Sequence, residues 1–178
     1  MKIKSENSVK NTHLLCGFVL ENSSKVLGLK KFDTKTTSAI NQSLKDIEGK
    51  LGRFSIIPIP GKKPAQRILL AGIGKKENLT EDTIRNISGK IAQKARELKL
   101  KEFSIIAPPS FVMDQISSVS QIIEGSKMAL YKFDKFKAEK TEKSPDLTII
   151  VSKSKKISQT IKTSEIIADG AIFTKSIA

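Results

Sequence analysis

Apolar residues in this chain follow two rhythms that take turns along its length, and that alternation constrains the fold more than any other feature. The first rhythm is the short continuous run: HLLCGFVLE at 13–21, RFSIIPIP at 53–60, RILLAGIG at 67–74, EFSIIAPP at 102–109 and DLTIIV at 146–151. Runs of this length, rich in strand formers and bounded by Gly, Pro, Asn and Ser, read as strands. The second is the three- and four-residue spacing of an amphipathic helix. It runs from Thr37 to Ile47, through Ile40, Leu44 and Ile47, and closes at Gly49. It resumes behind Thr80, an N-cap followed by the first-turn acids Glu81 and Asp82, with Ile84, Ile87, Ile91, Ala95 and Leu98 on one face. It appears again in Asp114 to Tyr131, with Ile116, Val119, Ile123 and Leu130. The last instance is Lys156 to Lys175, with Ile157, Ile161, Ile167, Ala168, Ala171 and Ile172.

Strands alternating with helices predict an α/β fold in which a mostly parallel sheet is covered by helices on both faces. GKKPAQ at 61–66 is a Gly- and Pro-marked turn, so the strands on either side of it pair as a hairpin and make the sheet mixed. Val26 to Phe32 is a weaker apolar segment. Lys132 to Ser144 is so charged that it reads as a solvated loop. A chain of 178 residues accommodates one domain with an attached piece. Its apolar runs fall far short of the roughly 20 residues that cross a bilayer. The opening MKIKSENSVKN has no apolar signal-peptide region, so no membrane partner is expected. Cys16, the single cysteine, excludes an internal disulfide and points to a reducing, cytoplasmic compartment.

Charge carries the next inference. Lys and Arg number 32 against 18 Asp and Glu, a formal net charge of +14. Most of the excess is lysine dispersed along the chain, which is ordinary solvated surface. One stretch differs: Gly49 to Lys76 holds no acid but contains Lys50, Arg53, Lys62, Lys63, Arg67, Lys75 and Lys76. These residues are the candidate polyanion-binding set, and DNA is the partner they suggest. The same lysines equally suit an edge hairpin kept soluble by charge.

Other candidate chemistry thins out on inspection. AGIGKK at 71–76 is a glycine turn between strand and helix, where open sheets bind phosphates, but it lacks the third glycine of a dinucleotide fingerprint and the spacing of a P-loop. Gly72 and Gly74 therefore read as close-packing and turning residues. His13, the only histidine, has no partner imidazole, and Cys16 lies in an apolar run, so neither is expected to bind metal or attack a substrate. The acids are too scattered for a two-metal site.

The ordered motifs resemble the N-terminal domain of the cytosol (leucyl) aminopeptidase family. RILLAGIGKKENLTEDTIR at 67–85 is similar to the family's strand, Gly-x-Gly-Lys turn and Leu-Thr helix start, which places Gly72, Gly74 and Lys75 in the signature. IEGSKMALYKFDKFK at 123–137 is similar to its Glu-Gly motif, through Glu124, Gly125, Tyr131, Phe133, Asp134, Phe136 and Lys137. IADGAIFTKSIA resembles the family's connecting helix, although Lys175 and Ser176 stand where Arg-Asp is usual.

The resemblance implies a macro-domain-like three-layer α/β/α fold over 1–155 and a connecting helix over 156–178, leading toward a C-terminal catalytic domain. It implies a parent that removes N-terminal residues from peptides with two divalent ions, zinc or manganese, in that other domain. By the same resemblance this chain holds no catalytic residue and no metal ligand, so no cofactor is expected in it. Its expected role is to assist assembly of a hexamer or access to the active sites. Two alternatives stay open: a nucleic-acid-binding module built on the basic hairpin, and a nucleotide or ADP-ribose binder suggested by the macro-like order.

Overall fold

The computed structural model describes residues 1–29, 33–61, 64–131 and 143–177. Six strands form one sheet: β1 (Ile3–Glu6), β2 (Thr12–Val19), β3 (Phe54–Pro58), β4 (Ala65–Gly72), β5 (Glu102–Ile106) and β6 (Asp146–Ile150). Their order across the sheet is β1-β6-β5-β2-β4-β3. Every pairing is parallel except β3 with β4, which are antiparallel, with Phe54 opposite Ala71 and Pro58 opposite Arg67. The sheet is therefore mixed and mostly parallel, as the alternation of rhythms predicts.

Four helices flank it: α1 (Thr34–Ile47), α2 (Glu81–Glu97), α3 (Gln115–Leu130) and α4 (Lys155–Ile177). Strand periodicity divides the core. Along β2, Leu14, Cys16 and Phe18 join Ile84, Ile87 and Ile91 of α2 and Val119 and Ile122 of α3 in one cluster. Leu15 and Val19 point the other way, into a second cluster with Ile40, Leu44 and Ile47 of α1. Successive side chains of a strand face opposite sides of a sheet, so one eight-residue run supplies both cores.

Local signals set the helix ends. The Asp33 carboxylate accepts from the Thr36 amide at 3.2 Å, so α1 opens at Thr34, three residues before the expected Thr37. Thr80 and Thr83 cap α2 reciprocally. Three further expectations are corrected. Leu98 is the residue at which α2 ends, and it is 38% exposed instead of lying on the apolar face. Ile167 is 52% exposed, because the packed face of α4 runs through Ile157, Ile161, Ser164 and Ala168. Ile3–Glu6, read as part of a polar opening, forms β1, held at the sheet edge by backbone pairing to β6. Val26 and Leu27 are buried, but residues 26–29 form no strand, and Lys30 to Phe32 lie outside the described residues. The expected loop over 132–142 also lies outside them.

Where α2 crosses α3 the backbones themselves meet. A Cβ on Gly125 would sit 2.0 Å from the carbonyl oxygen of Arg85, and one on Gly89 would sit 3.1 Å from that of Gly125. No side chain fits there without separating the helices. Gly170, in α4, has nothing within 4 Å of an added Cβ. Gly125→Ala is therefore expected to destabilise the chain by about 3 kcal/mol or to prevent folding. Gly170→Ala, a gain in helix propensity with no clash, should raise stability by up to about 1 kcal/mol. Urea denaturation of the two variants checks this contrast. A second expectation concerns Cys16, whose thiol is fully buried and pushed up in pKa by desolvation. It should not react with a disulfide-exchange reagent at neutral pH until the chain is unfolded.

Candidate functional site

The candidate site is built where the ends of β2, α1 and β4 converge. Helix α1 stops because Glu48 and Gly49 take positive φ, 51° and 63°. The chain then turns so tightly that a Cβ on Gly49 would lie 2.1 Å from the Leu20 carbonyl oxygen, and a Cβ on Gly72 would lie 2.1 Å from that of Lys50. Backbone hydrogen bonds close the junction. The amides of Gly72, Ile73 and Gly74 donate to the carbonyl oxygens of Arg53, Val19 and Gly49, at 2.8, 2.9 and 3.0 Å. A phosphate cradle needs free amides aimed outward. All three amides of the Gly-x-Gly turn are engaged inside the protein, so the turn serves packing.

Around this junction the basic side chains sort into two groups. Lys50, Arg53, Lys75 and Lys76 are exposed at one end of the β3–β4 hairpin. A Cβ on Gly74 would lie 3.4 Å from the Cβ of Leu51, so the two lysine-bearing turns are neighbours. Lys90 of α2 joins them, its Nζ 3.7 Å from the Cβ position at Gly52. Lys90 stands 40 positions along the chain from Lys50, outside the acid-free stretch, and no local pattern points to it. Arg67 is half-buried at the other end of the hairpin, opposite Pro58 and four residue steps from the Phe54–Ala71 pair, about 13 Å away. Lys62 and Lys63 lie outside the described residues. One acid tempers the group: Glu48 pairs with Lys50. The Lys50 hydrogen bond and the nearby Arg53 charge hold its carboxyl below the ordinary range.

Of the signature residues from 124 onward, Glu124 and Gly125 build a helix junction. Glu124 accepts from the Ser120 hydroxyl at 2.9 Å and lies 4.0 Å from an Arg85 guanidinium nitrogen. Ser120 in turn reaches the Ser164 hydroxyl of α4 at 2.8 Å. Lys127, largely buried, pairs with Asp169 at 2.7 Å. Glu124 and Gly125 thus fasten α2, α3 and α4 together, and Tyr131 ends α3. Phe133, Asp134, Phe136 and Lys137 lie outside the described residues. His13 faces Glu102 at 3.7 Å. Among the described residues no three His, Cys, Asp or Glu side chains come together as a metal site.

A cavity of about 560 Å³ opens beyond the carboxyl ends of β1, β5 and β6. It lies at the switch point of the sheet, since β2 leads through α1 toward β3 and β4 while β5 leads through α3 to β6. Its walls are mainly apolar, among them Val9, Leu29, Ile106 and Ile150, with Asp33 and Gln115 at the rim. Among the described residues no Lys or Arg lines it to neutralise a diphosphate.

Solved structures define the class first. A mutant of tomato leucine aminopeptidase superposes on 97% of this chain with a TM-score of 0.72 at 19% identity, this chain covering 37% of that one. The bottromycin maturation enzyme BotP in complex with Mn superposes on 87% with a TM-score of 0.56 at 12% identity, over 30% of its own chain. The architecture is thus an α/β fold found within chains about three times as long. Residues 17–140 match the model of the cytosol aminopeptidase family, N-terminal domain, and the chain belongs to that family. A probable cytosol aminopeptidase of Cenarchaeum symbiosum (strain A) is 35% identical over 98% of this chain and 34% of its own length. Another, from Sulfurihydrogenibium sp. (strain YO3AOP1), is 26% identical over 89% and 33%. The chain spans about a third of the length of these curated relatives.

The clustering of charge generates a measurable expectation. With duplex DNA as the polyanion, Lys75→Glu, Lys76→Glu and Lys90→Glu should each weaken binding and lower the slope of log K against log salt by about 1. Arg67→Glu, at the far end, should leave that slope nearly unchanged. Equal effects at all four positions would refute a localised patch.

Proposed function

We propose that this chain is the non-catalytic N-terminal domain of a metal-dependent aminopeptidase that removes N-terminal residues from peptides in the cytosol. The observation that carries the reading is the family match over residues 17–140 in a chain a third as long as its relatives. Its residues support the same division of labour. Many of its acids are occupied elsewhere: Asp33 and Asp114 cap helices, Glu6 pairs with Lys10 and Lys153, and Asp169 pairs with Lys127. Two-metal hydrolysis, in which paired zinc or manganese ions activate water and hold the oxyanion, is assigned to the remainder of the longer protein. The domain's own contribution is to assist assembly of the oligomer, a hexamer in this reading, or to govern access to the active sites.

A second reading, binding of nucleic acid, is favoured by the gathering of Lys50, Arg53, Lys75, Lys76 and Lys90 at one hairpin end. The two are compatible, because an accessory domain is free to carry a polyanion patch. The nucleotide reading draws on the switch-point cavity, since the amides of Gly72, Ile73 and Gly74 are engaged within the protein.

The test is to read the gene past Ala178 and assay both products. The downstream region should encode an acid-rich metal-binding domain. The whole gene product should hydrolyse a leucine anilide with added manganese or zinc, and the 178-residue chain should not. A stop codon after Ala178, a downstream region without acidic metal ligands, or hydrolysis by the short chain would each overturn the proposal.

A further inference from the structure

The carboxyl end of α2 and the starts of β5 and β6 enclose a concavity of about 450 Å³, at the opposite end of the sheet from the switch-point cavity. Four of the eight residues that line it are cations, Arg96, Lys99, Lys101 and Lys143, although Lys and Arg make up only 32 of the chain's 178 residues. Three separate parts of the chain deliver them. Arg96 lies in the last turn of α2 and Lys99 in the turn behind it, Lys101 directly precedes β5, and Lys143 comes three residues before β6. The carboxyl end of a helix attracts cations in its own last turn. That accounts for Arg96 and for Lys94 beside it, but not for Lys101 and Lys143, which arrive with other elements.

The neighbouring acids do not balance this charge. Asp146, the one carboxylate in the lining, accepts from the Lys2 amide at 2.7 Å. Glu97 pairs with Lys94 at 3.3 Å, and Glu102 faces His13 at 3.7 Å. Arg96 is half-buried, and among the described residues no hydrogen bond or ion pair engages its guanidinium. A guanidinium partly withdrawn from water without an acceptor costs free energy, and further cations beside it add repulsion. The frame that holds them is nonetheless fixed. The Leu100 amide donates to the Ala95 carbonyl at 3.0 Å, the Asp146 amide donates to the Lys101 carbonyl at 2.9 Å, and Pro145 is buried.

We propose that this concavity binds a compact oligophosphate, two or three linked phosphoryl groups, with Arg96 as the fork and Lys101 and Lys143 as point charges. The planar guanidinium matches a pair of phosphoryl oxygens, while an ammonium supplies charge without fixed geometry. A single phosphate group carries about two negative charges, too few for this lining. Among the described residues no aromatic side chain lines the concavity, so no platform for a base is present. Recognition therefore rests on the phosphoryl groups, whether free or carried by a nucleotide. The site goes beyond the proposed function and stands without it. It is also separate from the basic hairpin end, since the 17 residues of α2, about 25 Å, run between it and Lys75 and Lys76.

Calorimetric titration of the 178-residue chain with sodium tripolyphosphate at low salt tests the proposal. One equivalent should bind, and adenosine triphosphate should bind about as tightly. Arg96→Gln should weaken binding at least about tenfold. The paired change Lys101→Gln with Lys143→Gln should do the same, and because both side chains are exposed it leaves the fold intact. Lys75→Gln with Lys76→Gln, at the hairpin end, should leave the affinity unchanged. No binding at low salt, uptake of several equivalents without saturation, or an equal loss from the pair at 75 and 76 overturns the proposal in favour of diffuse attraction to the net charge. Much tighter binding of adenosine triphosphate than of tripolyphosphate overturns it in favour of a site that reads a base. Duplex DNA whose binding Arg96→Gln weakens, in a chain that ignores tripolyphosphate, overturns it in favour of nucleic acid.

Discussion

The structure depends on burying β2 from both sides. Seven of its eight residues, Thr12 to Val19 without His13, are buried, and their alternation feeds two separate cores. Neither core closes alone. Helices α2 and α3 need Leu14, Cys16 and Phe18, while α1 needs Leu15 and Val19. The strand is also pinned laterally, since it pairs with β4 on one side and β5 on the other, and the Ser104 hydroxyl donates to that of Thr12 at 3.1 Å. Even its glycine is committed: a Cβ on Gly17 would lie 2.4 Å from a methyl of Val26. A strand enclosed in this way has a single register, because a slip of one residue would exchange the two cores.

From that fixed centre the glycines of the family signature acquire a physical meaning. Gly72 and Gly125 each lie where a carbonyl oxygen of another element comes closer than a side chain permits. They mark where layers touch. A motif that looks like a phosphate loop in one dimension is a packing junction in three, because the amides of Gly72, Ile73 and Gly74 are engaged within the protein. The positive charge around it is carried by side chains that project from the junction, drawn from two neighbouring turns and from α2.

Much of this was legible in the sequence. The five longer strands, the four helices, the hairpin and the mixed sheet follow from apolar periodicity, because those elements bury a face and burial leaves a pattern. β1 was not legible: IKSE carries little apolar signal, and its place comes from backbone bonds to β6 and from Glu6 with Lys153, contacts 147 positions apart (153 minus 6). Ile167 was misassigned because adjacent isoleucines at 166 and 167 fit a helical stripe in more than one phase, and only the position of α3 decides between them. The charged hairpin was legible as a stretch of sequence. Its division into two ends, and the arrival of Lys90, come from strand register and helix placement.

The pairing of β1 with β6 also orders events in time. The Lys2 amide meets the Asp146 carboxylate across 144 positions of sequence, and the Lys153 amide meets the Asn7 side chain across 146. During synthesis the chain emerges amino end first. β1 therefore waits, its edge unpaired, until β6 has left the ribosome, while β2, β4 and α2 already have partners within reach. Residues 3–6 have no partner strand until β6 is made, so this edge of the sheet is closed by two segments that lie far apart in the sequence.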